Sequence, residues 1–119
     1  MMRASDTHEP LTLARIWIGH TRLEDRDEYV RYLEESGMAA YRATPGNRGA
    51  FLLVRDLGDR AEFLTLSFWD GWDSIRAFAG DDPGTARYFP RDERFLLEFP
   101  KEVRHYEVSG RPGTPRLLP

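Results

Sequence analysis

The feature that most constrains this chain is a pair of β-rich runs, Gly49 to Arg55 and Ala61 to Trp69, joined by Asp56-Leu57-Gly58-Asp59-Arg60. A linker of that length and chemistry predicts a hairpin, so the two runs should pair antiparallel. In the first run Phe51 and Leu53 alternate with Ala50, Leu52 and Val54. In the second, Phe63, Thr65, Ser67 and Trp69 alternate with Leu64, Leu66 and Phe68. An antiparallel sheet with one wet face alternates cleanly between apolar and polar side chains, whereas here both faces carry substantial apolar content, so both must be covered. Helices can cover one face. In a chain of 119 residues the simplest cover for the other is the same sheet from a second subunit.

The flanking segments supply the rest of the layer. Leu13 to His20 reads as a strand with Ala14, Ile16 and Ile18 on one face and Arg15, Trp17 and Gly19 on the other. Thr21, three residues before Glu24, has capping-box spacing for a helix carrying Tyr29, Val30 and Leu33 on its buried stripe, with Asp25 as a rival cap. Gly37 is expected to end that helix in the left-handed conformation, with another turn over Met38 to Arg42 before Pro45-Gly46-Asn47. Asp70 is expected to cap a second helix that buries Ile75, Phe78 and Ala79 and stops at Gly80. Asp82-Pro83 predicts a short helix through Arg87 or Tyr88, Asp92 to Phe99 a last one, and Val103 to Val108 a final strand. The order β-α-β-β-α-α-β with a central hairpin describes a ferredoxin-like α+β layer. Residues 13–108 form one domain in this reading, between an N-terminal arm, 1–12, and a Pro- and Gly-rich tail, 109–119, whose Leu117 and Leu118 give it a means of docking on a neighbouring subunit.

Composition excludes several functions. Acidic and basic residues are interspersed and sum to −3, so there is no basic stripe and nucleic acid is not an expected partner. The absence of cysteine removes disulfides, thiolate nucleophiles and iron–sulfur clusters. No apolar run approaches a membrane span, and the first ten residues hold no apolar signal core, so the reading is cytoplasmic, with no membrane partner. His8, His20 and His105 lack any metal-binding spacing, no serine sits in a G-x-S-x-G elbow, and the glycines assemble no phosphate loop. Neither a metal nor another cofactor is expected.

What remains is an aromatic set with one arginine. A sheet face bearing Arg15, Trp17 and Trp69, with His105 as a candidate member, roofed by helices bearing Tyr29, Tyr41 or Tyr88, would suit a planar aromatic or phenolic ligand. Rings would stack, and the arginine would hold an anionic oxygen.

On these residues the chain resembles the antibiotic-biosynthesis-monooxygenase superfamily of dimeric α+β barrels. The likeness rests on Ala14-Arg15-Ile16-Trp17 leading to Thr21-x-x-Glu24, on Ala43-Thr44-Pro45-Gly46-Asn47-Arg48-Gly49, on Leu66-Ser67-Phe68-Trp69-Asp70 with Ile75-x-x-Phe78, and on Tyr88-Phe89-Pro90-Arg91-Asp92-Glu93-Arg94-Phe95. The resemblance implies a homodimer whose sheets pack face to face, with a pocket in each subunit between sheet and helices. Trp69 falls where the family keeps its pocket tryptophan. The haem-degrading branch also uses an asparagine on the first strand and a histidine after the second helix; Ala14-Arg15-Ile16-Trp17 and Arg87-Tyr88 match neither. The resemblance therefore implies a cofactor-independent monooxygenase acting on an aromatic, polyketide-like or quinol compound. In it Trp69, Tyr88 and His105 are the catalytic candidates, and Arg15, Trp17, Tyr41 and Phe89 the substrate-binding ones. The rival expectation is a non-catalytic dimer of the same fold, a ligand-binding or stress-response protein, that holds a small apolar ligand.

Overall fold

A computed structural model describes residues 12–110 of the chain; the expectations for the terminal arms, Leu117 and Leu118 included, lie outside the described residues. The elements run β1 (Leu13–Thr21), α1 (Arg26–Glu35), α2 (Gly37–Ala43), β2 (Asn47–Asp56), β3 (Ala61–Trp69), α3 (Trp72–Ala79), α4 (Asp92–Phe95) and β4 (Arg104–Glu107). The strands form one antiparallel sheet in the order β2-β3-β1-β4. This is the expected ferredoxin-like α+β layer, with the helices on one face.

Strand alternation decides which side chains meet the helices. Register pairs Leu13 with Trp69, Arg15 with Ser67 and Trp17 with Thr65, and Arg15 with His105 on the other side of β1. Leu13, Arg15, Trp17, Thr21, Ala61, Phe63, Thr65, Ser67 and Trp69 are all buried beneath the helices, where Tyr29, Leu33, Met38, Tyr41, Ile75 and Phe78 complete the core. Gly19 is required there because the Trp17 indole lies over it: a Cβ at Gly19 would run into that ring.

The opposite face carries Ile16, Ile18, Leu64, Leu66 and Phe68, with Phe51 56% and Leu53 49% exposed on β2 and Tyr106 50% exposed on β4. No helix among the described residues covers it. Apolar faces this extensive are unusual on proteins that stand alone in water.

The hairpin arrives as expected, but several helix signals were spent elsewhere. Thr21 ends β1 and its hydroxyl donates to the Arg22 carbonyl, while Asp25 does hold the N-cap position of α1 but turns its carboxylate to Arg22 and not to a helix amide. Gly37 opens α2 instead of closing α1, and the chain turns at Ser36, whose hydroxyl donates back to the Tyr32 carbonyl at 2.7 Å. Asp70 accepts from the Ser74 hydroxyl at 2.8 Å and from Arg48 at 3.3 Å, not from a backbone amide of α3. Gly80 does stop α3, with φ of 94°. No helix forms after Asp82-Pro83: that segment is irregular and touches the rest of the sheet layer through an isolated bridge, Thr85 with Glu102. The last helix is a single turn, Asp92–Phe95, shorter than expected. No helix among the described residues is long and apolar enough to cross a membrane.

Candidate active site

Between the sheet and its helices lies a narrow cavity. Arg15, Trp17 and Thr65 form its floor, Tyr29, Leu33, Met38 and Tyr41 one wall, and Phe78, Arg87, Tyr88, Phe89 and Asp92 the other. Its inner volume is about 30 Å³. That inner room holds roughly two waters, so a multi-ring ligand enters only if the walls part.

Arg15 is the dominant electrostatic feature. It is 1% exposed, and no carboxylate among the described residues pairs with it. Its donors reach neutral acceptors instead: NH1 donates to the Pro83 carbonyl at 2.6 Å and to His105 Nε2 at 3.0 Å, and NH2 to the Thr85 carbonyl at 3.4 Å. Its buried Nε has no partner among the described residues. Burial lowers the guanidinium's pKa, and the neighbouring Tyr41 works against that shift. A buried cation without a counter-ion costs several kcal/mol. Such a charge at a cavity floor is positioned for an anion brought by a ligand.

Tyrosine and tryptophan polar groups are already engaged. Trp17 Nε1 donates to Tyr88 Oη at 3.2 Å, and Tyr88 donates its own proton to the Pro100 carbonyl. Burial raises the Tyr88 pKa, against the opposing effect of the Trp17 N–H. Tyr41 and Thr65 share a hydrogen bond of 3.2 Å. Arg87 lies between the rings of Phe78 and Phe89, at 5.0 and 4.8 Å from their centroids, and donates to the Phe78 carbonyl.

Trp69 does not border the cavity. It is fully buried behind Tyr41 and Phe78, with ring centroids 6.0 and 5.9 Å away, and its Nε1 donates to Ser67 Oγ at 2.9 Å. His105 also lies outside, on the far side of Arg15, where it packs against Trp72 at 4.9 Å and faces a separate shallow cleft with Leu13 and Glu107. Arginine can only donate, so Nε2 of His105 is the acceptor and the ring is neutral with its proton on Nδ1. Burial, then the Arg15 charge, lowers its pKa to about 4. The structure brings Arg15, Trp17, Tyr41, Tyr88 and Phe89 to one cavity and leaves Trp69 and His105 outside it.

Of the bordering residues that the sequence did not single out, Asp92 carries the most chemistry. Asp92, 4% exposed, accepts the Tyr29 O–H at 2.9 Å and the Phe89 N–H at 2.7 Å. Its acidic neighbours and its place at a helix start made it look like a cap. The available signal was Tyr29 on a buried stripe, since a buried phenol needs an acceptor.

The depressed His105 pKa has a measurable consequence. The unfolded imidazole binds a proton near pH 6.5 and the folded one only near 4, so stability falls as pH drops through that window. His105→Gln, which keeps an acceptor but cannot titrate, should flatten this part of the curve. Thermal unfolding of both proteins between pH 4 and 7 checks it; identical slopes would remove His105 as the cause.

Haem does not fit this donor set. The cavity border offers no imidazole, its phenols are hydrogen-bonded, and no group of His, Asp and Glu among the described residues could hold a metal ion.

Sheet, helices and cavity together define a ferredoxin-like α+β protein with a ring-lined pocket above an arginine. No protein-family model and no curated protein sequence matches the chain. Solved structures do. A Bacillus cereus protein carrying the antibiotic biosynthesis monooxygenase designation superposes with a TM-score of 0.61 at 9% identity, covering 88% of this chain and 100% of its own. A Nitrosomonas europaea protein of unknown function gives 0.57 at 12%, covering 87% and 98%. A Streptomyces coelicolor monooxygenase in complex with nanaomycin D gives 0.52 at 11%, covering 89% and 93%. At such identities the likeness is one of fold. The chain has the fold of the antibiotic biosynthesis monooxygenases, as its motifs implied.

Proposed function

We propose that the protein is a homodimeric, cofactor-independent monooxygenase acting on an aromatic, polyketide-like or quinol compound. The observation that carries this reading is Arg15, a buried cation without a carboxylate at the floor of a cavity walled by aromatic rings. A hydroxylated ring that has lost a proton is both an anion for Arg15, which pairs with no carboxylate among the described residues, and an electron donor strong enough to reduce O2 directly. For an anthrone-type substrate the ring CH2 becomes C=O. The substrate supplies all four electrons, one oxygen atom stays in the product, and the other leaves as water with two hydrogens.

In this reading Trp17, Tyr41 and Phe89 enclose the ring and Arg15 stabilises its oxyanion. Tyr88 presents its phenol oxygen, already polarised by Trp17. Trp69 acts by holding Tyr41 and Phe78 in place, and the neutral His105 orients Arg15 through their hydrogen bond. The uncovered sheet face packs on its copy in a second subunit.

The tightness of the cavity favours a second reading, a dimer that binds a small apolar ligand and catalyses nothing. Oxygen-electrode assays of the metal-free protein with hydroxyanthrone and naphthohydroquinone compounds separate the two, alongside tryptophan-fluorescence titrations. Protein-dependent oxygen uptake is expected. Saturable binding without uptake would install the rival.

A further inference from the structure

Resting on that reading, we infer that Asp92 is the proton acceptor that ionises the bound ring, with Tyr29 as its positioning residue. The carboxylate borders the cavity, is almost wholly buried, and has no cationic partner among the described ion pairs. Its oxygens each accept one hydrogen bond, Oδ1 from Tyr29 and Oδ2 from the Phe89 amide. A carboxylate has about four acceptor positions, so a substrate O–H or acidic C–H can still be received. The turn that leads into α4 accounts for the contact with Phe89, and does not account for an acid turned to a cavity and held by a buried phenol on another element.

The surroundings make this group a better base than an exposed aspartate. Burial raises its pKa, and the Phe89 N–H and Tyr29 O–H oppose the rise. A carboxylate moved toward neutrality accepts a proton more readily from a weak acid. The charged and titratable groups that share its space are Tyr29 and its neighbour Tyr32 on α1, Tyr41 on α2, Arg15 on β1, and Arg87 and Tyr88 on the segment before α4. Burial and the Asp92 charge raise the Tyr29 pKa, so this phenol keeps its proton and remains a donor.

The proton can be followed through turnover. Asp92 takes a proton from the substrate's acidic CH2, leaving a ring carbanion whose charge is shared with the oxygen on Arg15. That anion and O2 give a peroxide anion on the same carbon, which recovers the proton from Asp92. The carbon then loses its remaining hydrogen to Asp92 as the O–O bond breaks, forming C=O. The departing hydroxide takes that proton and leaves as water, which restores the carboxylate.

The test uses the full chain and a hydroxyanthrone, whose coloured anion is read by absorbance. Without oxygen, the wild type should form the bound anion at a pH below that of the free compound. Asp92→Asn should bind the probe yet leave it neutral, and in air its turnover should fall about 10²–10³-fold. Tyr29→Phe keeps the carboxylate but removes a hydrogen bond to its charged form, so the ionisation curve and the acid limb of the rate profile should both move to higher pH. A merely structural Tyr29 would shift stability and leave that limb in place, and Tyr29→Phe provides the test if Asp92→Asn fails to fold. Anion formation unchanged in Asp92→Asn, or an acid limb unmoved in Tyr29→Phe, would overturn the inference. Asp92-dependent anion formation without oxygen uptake would instead uphold it and remove the oxygenase reading.

Discussion

Replacing Arg15 with methionine should weaken binding of an anionic ring compound by about a hundredfold or more while leaving the fold intact. Loss of one partner from a buried charge pair costs roughly 3–5 kcal/mol, and each 1.4 kcal/mol is about tenfold in affinity. The folded protein itself has compensations. The Pro83 and Thr85 carbonyls lose a donor, but a buried charge without a counter-ion disappears with it. The same substitution reports on His105, whose pKa of about 4 reflects burial first and Arg15 second. Part of that depression should lift, and the part due to burial should remain. Calorimetric titration of ligand and NMR titration of the imidazole read the two effects separately. Unchanged affinity would mean that the arginine is only a strut for the segment around Pro83 and Thr85.

Leu66→Glu should convert the proposed dimer to a monomer. Leu66 lies in the middle of β3, opposite Ile16 on one side and Phe51 on the other, on the face without helices. In a two-fold dimer every substitution occurs twice, so two carboxylates would enter an apolar interface facing the same sheet. Several kcal/mol of uncompensated burial corresponds to a dissociation constant raised on the order of a thousandfold. The protomer should survive, because Leu66 is only half-buried within it. Sedimentation of the two proteins at matched concentration gives the answer. A wild type that sediments as a monomer would refute the sheet-to-sheet dimer outright.

The parts of the structure legible in the sequence are those governed by two-residue alternation. Phe63, Thr65, Ser67 and Trp69 share a face because strand geometry leaves no other choice, and the same rule gives Arg15 and Trp17 a common face, though not which side the helices take. Helix boundaries were less legible because Thr, Ser and Asp have several uses. Thr21 and Asp70 satisfy Arg22, Ser74 and Arg48, partners that a local pattern does not display. The stretch after Asp82-Pro83 has a helix signal, yet tertiary contacts overrule it: the Pro83 and Thr85 carbonyls serve Arg15, and Thr85 bridges to Glu102. The cavity was legible in its rings and its arginine. Asp92 was not, since its contact with Tyr29 spans 63 residues. Trp69 has the right face, but its place at the strand end sets Tyr41 and Phe78 between it and the space a ligand would fill.

The proposed oxygenase inserts oxygen from O2 into an electron-rich ring without a bound redox group. The most direct measurement is turnover of a hydroxyanthrone by chelator-treated protein under isotopically labelled O2, with mass spectrometry of the product. One labelled oxygen atom per product molecule is expected, at a rate that depends on protein and is unchanged by the chelator. A product carrying no label, or a substrate bound and released unchanged, would contradict it.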